Sequence, residues 1–194
     1  RPTRLEDIVD QKAIISALSS LIKNPDIPHL LFAGPAGTGK TTTALCVARE
    51  LLGEDWRKDT LDLNASDERG IKMVRERVKE FAAVMKLTTS SSTHDKPFRI
   101  IILDEADEMT PDAQTALRRI IEDSSKTTRF ILICNYLSQI IEPIQSRCAV
   151  FRFTRLPEEQ VVNYLKMICE NEEVKYDAKA LSQIYSATMG DMRH

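Results

Sequence analysis

The run Gly34-Pro35-Ala36-Gly37-Thr38-Gly39-Lys40-Thr41 has the composition and spacing of a loop that cradles phosphate. Its glycines let the backbone curl so that successive amide hydrogens point inward at phosphate oxygens, and the helix that Thr42 opens adds its positive amino-terminal end. Lys40 is long enough to reach the β- and γ-phosphates of a nucleotide, and the Thr41 hydroxyl suits a Mg²⁺ ion. Further along, the apolar run Arg99-Ile100-Ile101-Ile102-Leu103 ends in Asp104-Glu105. Asp104 suits Mg²⁺ directly or through water, while Glu105 can orient, or take a proton from, the water that attacks a γ-phosphate. A second apolar run, Phe130-Ile131-Leu132-Ile133-Cys134, closes on Asn135, whose neutral amide can hydrogen-bond the attacking water or the γ-phosphate. The chemistry common to these side chains is phosphoryl transfer from a nucleoside triphosphate to water.

Residues so far apart in the chain meet only if each ends a strand of one sheet. Leu30-Leu31-Phe32-Ala33 feeds the glycine loop, and residues 42–52 read as the helix that follows it. Thr60-Leu61-Asp62-Leu63-Asn64 alternates as a strand, and residues 98–103, 129–134 and 149–153 supply three more. Between them, helices are predicted over residues 70–86, burying Ile71, Val74, Val78, Phe81 and Met85, and from the cap Thr110-Pro111 to about Asp123. Residues 5–23 carry apolar positions at helical spacing (Ile8, Ile15, Leu18, Ile22), and the Ser/Thr-rich residues 88–97 read as a surface loop. Strands alternating with helices predict an α/β fold: a parallel sheet of five strands, helices on both faces, and a ligand at the carboxyl ends of the strands. After Leu156-Pro157 the pattern changes to two amphipathic helical stretches, 158–171 and 178–186, which sets a domain boundary near Arg155.

With 194 residues, the chain has room for one such domain and the beginning of a smaller one. A net charge of −2 excludes a bulk electrostatic hold on nucleic acid, so any such contact must come from a local basic surface. Cys46, Cys134, Cys148 and Cys169 are widely spaced and form no Cys-x-x-Cys pair, which points to reduced intracellular thiols rather than zinc or disulfides. No apolar stretch approaches a membrane span, and Arg1-Pro2-Thr3-Arg4 lacks a signal-peptide core.

Four further segments make the pattern more specific. These are Asp104-Glu105-Ala106-Asp107, the strand ending in Asn135-Tyr136, Pro143-Ile144-Gln145-Ser146-Arg147-Cys148, and Leu63-Asn64-Ala65-Ser66-Asp67-Glu68-Arg69-Gly70. Together they resemble the small subunits of replication factor C, the sliding-clamp loaders of archaea and eukaryotes, and the resemblance covers the whole chain. It implies an AAA+ ATPase that uses ATP and Mg²⁺ and assembles as a heteropentamer with large and other small subunits. Its partners would be a PCNA-type sliding clamp and primer-template DNA, and its site cytoplasmic in an archaeon or nuclear in a eukaryote. Arg147 would be a finger inserted into a neighbour's ATP site. A permanent, planar, forked cation suits the charge that spreads over γ-phosphate oxygens. Arg193, in Gly190-Asp191-Met192-Arg193, would contact the γ-phosphate from a helical lid of residues 156–194, cut short at His194 and followed by no collar domain. Ile8 and Val9 would line the adenine pocket. Ala36 stands where the family usually has a second proline, and the backbone amide remains available. The surface around residues 109–116 is implied as a clamp contact.

On the helix predicted after Gly70, Lys72, Arg75 and Lys79 fall on one face, away from Ile71, Val74 and Val78. Such a stripe can track phosphates without reading bases, or can be a solvated face relieved by Glu76 and Glu80; the resemblance favours DNA. The letters Asp-Glu-Ala-Asp also occur in RNA helicases, but the glycine pattern of the phosphate loop differs and the chain has no room for a second large motor domain. A protein unfoldase would need an aromatic pore loop, absent from residues 64–74, and a non-hydrolysing scaffold would not need both Lys40 and Glu105.

Overall fold

The computed structural model describes residues 2–8, 11–24, 26–66, 76–81, 98–188 and 191 of the chain. The strands are β1 (His29–Ala33), β2 (Thr60–Asn64), β3 (Arg99–Asp104), β4 (Thr128–Cys134) and β5 (Cys148–Arg152). They form one parallel sheet in the order β2-β3-β4-β1-β5. The named helices are α1 (Lys12–Ile22), α2 (Lys40–Leu52), α3 (Pro111–Ser124), α4 (Glu142–Gln145), α5 (Glu158–Asn171) and α6 (Ala178–Thr188), and residues 76–81 are helical as well.

The central strands β1, β3 and β4 are apolar nearly throughout because both of their faces are covered, whereas the edge strands β2 and β5 are partly exposed. Leu30, Phe32, Ile100, Ile102, Ile131 and Ile133 point to one side, where Leu18 of α1 and Ala44, Val47, Ala48 and Leu51 of α2 pack on them. Leu31, Ala33, Ile101, Leu103, Phe130 and Leu132 point to the other, against Val78, Leu117, Ile120, Ile121 and Ile144. Burial of each such Leu, Ile or Phe stabilises the fold by roughly 1.5–3 kcal/mol. The period of two along each strand therefore builds two cores from one sheet.

Where the described residues include them, boundaries fall within a residue or two of those read from the sequence, with one exception; the ends of the helix predicted over 70–86 and the loop predicted over 88–97 lie outside the described residues. Residues 5–23 are not one helical stretch: Leu5–Asp7 is a single 3-10 turn, Ile8 is extended, and Gln11 enters α1 with φ 59°. The break lets Ile8 stay buried while Gln11 Nε2 donates to the Thr154 carbonyl at 2.8 Å, fastening the amino-terminal segment beyond β5. At the start of α3, Thr110 accepts from the Ala113 N–H at 3.3 Å ahead of Pro111, as the sequence predicts.

The amino ends of the strands are clamped by His29 and Arg129. Phe130 N–H donates to His29 Nδ1 at 3.1 Å, and the Arg129 guanidinium binds Asp26 at 2.8 Å while lying 5.0 Å from the centre of the Phe98 ring. Burial, and then the charge of Arg129, lower the His29 pKa from 6.5 to about 4. The depressed value means the neutral ring's stabilisation is complete above pH 6.5 and is lost as pH falls through about 4. Unfolding by urea at a series of pH values should record a loss of about 3 kcal/mol across that window. His29→Asn, which offers an amide oxygen in place of Nδ1 and does not titrate, should flatten it; an unchanged slope would remove His29 as the cause.

Candidate active site

The topology explains why the chemical residues meet. From β1 the chain crosses to β2 at the far edge of the sheet, and returns through β3 to β4, which pairs with β1. The carboxyl ends of β1, β3 and β4 thereby flank one crevice, the usual ligand position in an open parallel sheet.

Glycines of the loop that leaves β1 are required for different reasons, as Gly34 and Gly39 show. A Cβ on Gly34 would overlap the Phe153 carbonyl, whereas Gly39 faces open space and is required for its backbone, φ 92°, which caps α2. Thr38 Oγ1 donates to the Pro35 carbonyl at 2.8 Å and holds the curl. Pro35 and Ala36 are exposed, Gly37 and Lys40 are buried, and Lys40 is only 5% accessible. Lys40 Nζ donates to the Gly34 and Pro35 carbonyls at 2.6 and 2.7 Å and to Asn135 Oδ1 at 3.1 Å. The ammonium is therefore folded back over its own loop, with Asn135 within direct reach.

Thr41 Oγ1 donates to Asp104 Oδ2 at 2.8 Å, while Asp104 Oδ1 accepts the Glu105 N–H at 2.9 Å. Two hard oxygen donors meet at the mouth of a phosphate loop, a set that fits Mg²⁺. Glu105 adopts φ 55°, ψ 38°, a left-handed backbone rare for a side-chain-bearing residue and common where function constrains geometry. Lys40, Thr41, Asp104, Glu105 and Asn135 thus form one cluster.

Other predicted residues lie elsewhere. Ile8 is buried in the core on the α2 side of the sheet. Thr42 is half-buried in the first turn of α2. Lys79 is exposed beside buried Val78, the arrangement the stripe requires. Val9, Lys72, Arg75 and Arg193 lie outside the described residues. In the surface suggested for a clamp, Met109 and Gln114 are buried, leaving Thr110, Pro111, Asp112 and Thr115 exposed.

Arg147 is at the other end of the sheet. It precedes β5, whose first residue, Cys148, pairs with His29 at the start of β1, whereas the glycine loop follows Ala33. Four residues of strand, about 13 Å at the ordinary rise, separate the two ends. Arg147 Nη2 lies 2.6 Å from Glu122 Oε1 and Nη1 donates to the Pro143 carbonyl at 2.7 Å, with the side chain still 38% accessible. The adjacent Cys148 thiol, raised to about 12 by burial, is not a nucleophile.

Three residues went unread in the sequence. Asp107 Oδ2 accepts both the Asn135 and Tyr136 N–H at 2.9 Å. Gln114 bridges α3 to the segment after β4, donating to the Met109 and Gln139 carbonyls at 3.1 and 2.8 Å and accepting the Ile141 N–H at 2.8 Å. Glu122 holds Arg147. Gln114 left a signal, a polar residue on the apolar stripe of Leu117 and Ile121, and Asp107 closes the Asp-Glu-Ala-Asp motif. Glu122 gave none, because its partner is distant in the chain.

A glycine loop, an acidic strand tip and a polar strand tip on a five-stranded parallel sheet define a P-loop nucleoside triphosphatase. The model of the ATPase family associated with various cellular activities (AAA) matches residues 30–156, and the chain belongs to that family. The resemblance read from the motifs is borne out by curated relatives. The replication factor C small subunits of Sulfolobus acidocaldarius and Staphylothermus marinus are 54% and 55% identical over 193 residues, all of this chain and 58% and 57% of theirs. The chain thus spans a little over half the length of these relatives. Among solved structures, the RuvB Holliday junction branch migration motor of Thermotoga maritima superposes with TM-score 0.71 at 19% identity, over all of this chain and 61% of that one. A point mutant of the same Thermotoga maritima RuvB reaches 0.75 at 18%, over all of this chain and 62% of the other. At these identities the likeness concerns the fold. Among the described residues no helix is long and apolar enough to cross a membrane.

Proposed function

We propose that this chain is the ATP-hydrolysing portion of a clamp-loader small subunit, which acts in a heteropentamer with large and other small subunits inside the cell. ATP binding orders the assembly so that it opens a PCNA-type clamp, and primer-template DNA then triggers hydrolysis and leaves the closed clamp on DNA. Residues 1–155 form the ATP-binding domain in this reading and residues 156–194 the lid, with Ile8 and Val9 at the adenine and Arg193 at the γ-phosphate.

One observation carries the mechanism: the candidate finger, Arg147, is at the opposite end of the sheet from its own glycine loop. A guanidinium so far from its own triphosphate serves catalysis only in a neighbour's site, so the active unit is a junction between subunits. Within one chain, Lys40 exchanges loop carbonyls for phosphate oxygens, joining the backbone amides of residues 34–42. Asn135, whose Oδ1 accepts from Lys40, is left to offer its Nδ2 hydrogens to the γ-phosphate or the attacking water. Glu105, set in its turn by the Asp104 carboxylate, orients that water and takes its proton. Thr41 and Asp104 would hold a Mg²⁺ ion, which would supply neutralisation of phosphate charge. The exposed Lys79, with Lys72 and Arg75, supplies the local positive surface that a net charge of −2 does not, and tracks DNA phosphates without regard to sequence.

The test is the ATPase rate of the full-length assembly with and without clamp and primed DNA. Stimulation by both is expected. Turnover indifferent to them would indicate a remodelling ATPase of another kind, and nucleotide binding without turnover a scaffold; either result overturns the proposal.

A further inference from the structure

The Asn135 tip lies beyond the ladder that holds the rest of β4. Pairing between β3 and β4 ends at Leu103 and Leu132, and the Cys134 carbonyl is taken by the Gly34 N–H at 3.2 Å. The next two amides, of Asn135 and Tyr136, have neither strand as a partner. Both converge on one oxygen of Asp107, at 2.9 Å each. Asp107 sits in the 3-10 turn Ala106–Glu108, which Glu105 opens with its left-handed backbone. A single carboxylate thus links the turn that carries Glu105 to the strand tip that carries Asn135.

Its burial argues against a purely architectural role. Asp107 is 6% accessible, and its second oxygen, Oδ1, is buried with no hydrogen-bond partner among the described residues. A buried acceptor left unpaired costs stability, so the carboxylate stands here at some expense to the fold. The Cys134 thiol beside this tip is pushed up to about 12, chiefly by burial and next by the charge of Asp107, with Lys40 opposing.

We propose that Asp107 is a positioning residue: by holding the Asn135 and Tyr136 amides it fixes the Asn135 side chain in register with Lys40 and with the Glu105 turn. It touches neither nucleotide nor water and acts through Asn135. The inference rests on the ATPase reading above.

The test compares Asp107→Ala, Asp107→Asn, Asn135→Ala and the Asp107→Ala/Asn135→Ala double variant in the full-length assembly. Asp107→Ala should lower kcat about 10- to 100-fold, with ATP affinity within about threefold of the parent, since small displacements of an orienting group act on the chemical step. Asp107→Asn keeps an oxygen able to accept both amides and should recover most of kcat. In the Asn135→Ala background, Asp107→Ala should change kcat by no more than about twofold, because the group it positions is gone. Additive losses, or affinity falling in parallel with kcat, would overturn the proposal. Should Asp107→Ala fail to fold, Asp107→Leu, of similar volume but unable to accept the two amides, makes the same comparison with and without Asn135→Ala. Parent turnover with additive variants sinks the inference alone; absence of parent turnover sinks the ATPase reading and this one with it.

Discussion

Arg147→Ala in the full-length assembly should lower ATP turnover on the order of 10³-fold or more at every junction where the altered chain supplies the finger. The size follows from what the finger neutralises. Charge spread over the γ-phosphate oxygens needs a forked, permanent cation, and no other group replaces it once water is excluded. Arg147→Lys should recover little of the loss, because an ammonium is a point donor. The substitution should leave folding nearly intact. The in-chain pair with Glu122 is about a third accessible on both sides, 38% and 37%, and pairs of that kind contribute at most about 1 kcal/mol. Mixing altered and parent chains distinguishes the two placements: the impaired sites should be those of the neighbours. A defect confined to the altered chain's own site would contradict the junction mechanism.

Glu105→Gln should bind ATP with an affinity within about threefold of the parent and lose turnover by about 10²- to 10⁴-fold. Glutamine keeps the shape and tolerates the same backbone, but it cannot take the proton of the attacking water. The Glu105 N–H to Asp104 bond at 2.9 Å does not involve the side chain, so the Mg²⁺ donors stay in place. Single-turnover measurement with pre-bound ATP isolates the chemical step, and near-parent turnover there would remove Glu105 from its role. The variant should also hold the ATP-bound assembly long enough to accumulate clamp complexes.

Much of the site was legible before the fold because its residues sit where apolar runs stop. The interior of a buried parallel strand is apolar and polar side chains gather at its ends, so Asp104, Glu105 and Asn135 stood out by contrast with Ile100 to Leu103 and Phe130 to Cys134. The unread residues obey a different rule. Asp107, Gln114 and Glu122 act on backbone amides or on side chains remote in sequence, and such pairings leave no period to detect. Residues 5–23 misled for a related reason: Ile8 keeps a helical spacing but reaches the core from extended backbone, since Gln11 breaks the run to reach Thr154.

A phosphate loop, an acidic tip, an amide tip and the alternation of strands with helices all follow from the linear order of residues. Local chemistry writes those features: glycine where φ must be positive, β-branched and aliphatic residues where both faces of a strand are covered. Strand order came from long-range packing alone; it sets β4 beside β1 and brings Asn135 within 3.1 Å of Lys40. The same order puts Arg147 at the far end of the sheet, 2.6 Å from Glu122 and away from its own loop. Which strands become neighbours depends on how both faces of the whole sheet are buried at once, a sum over distant side chains that no local window contains.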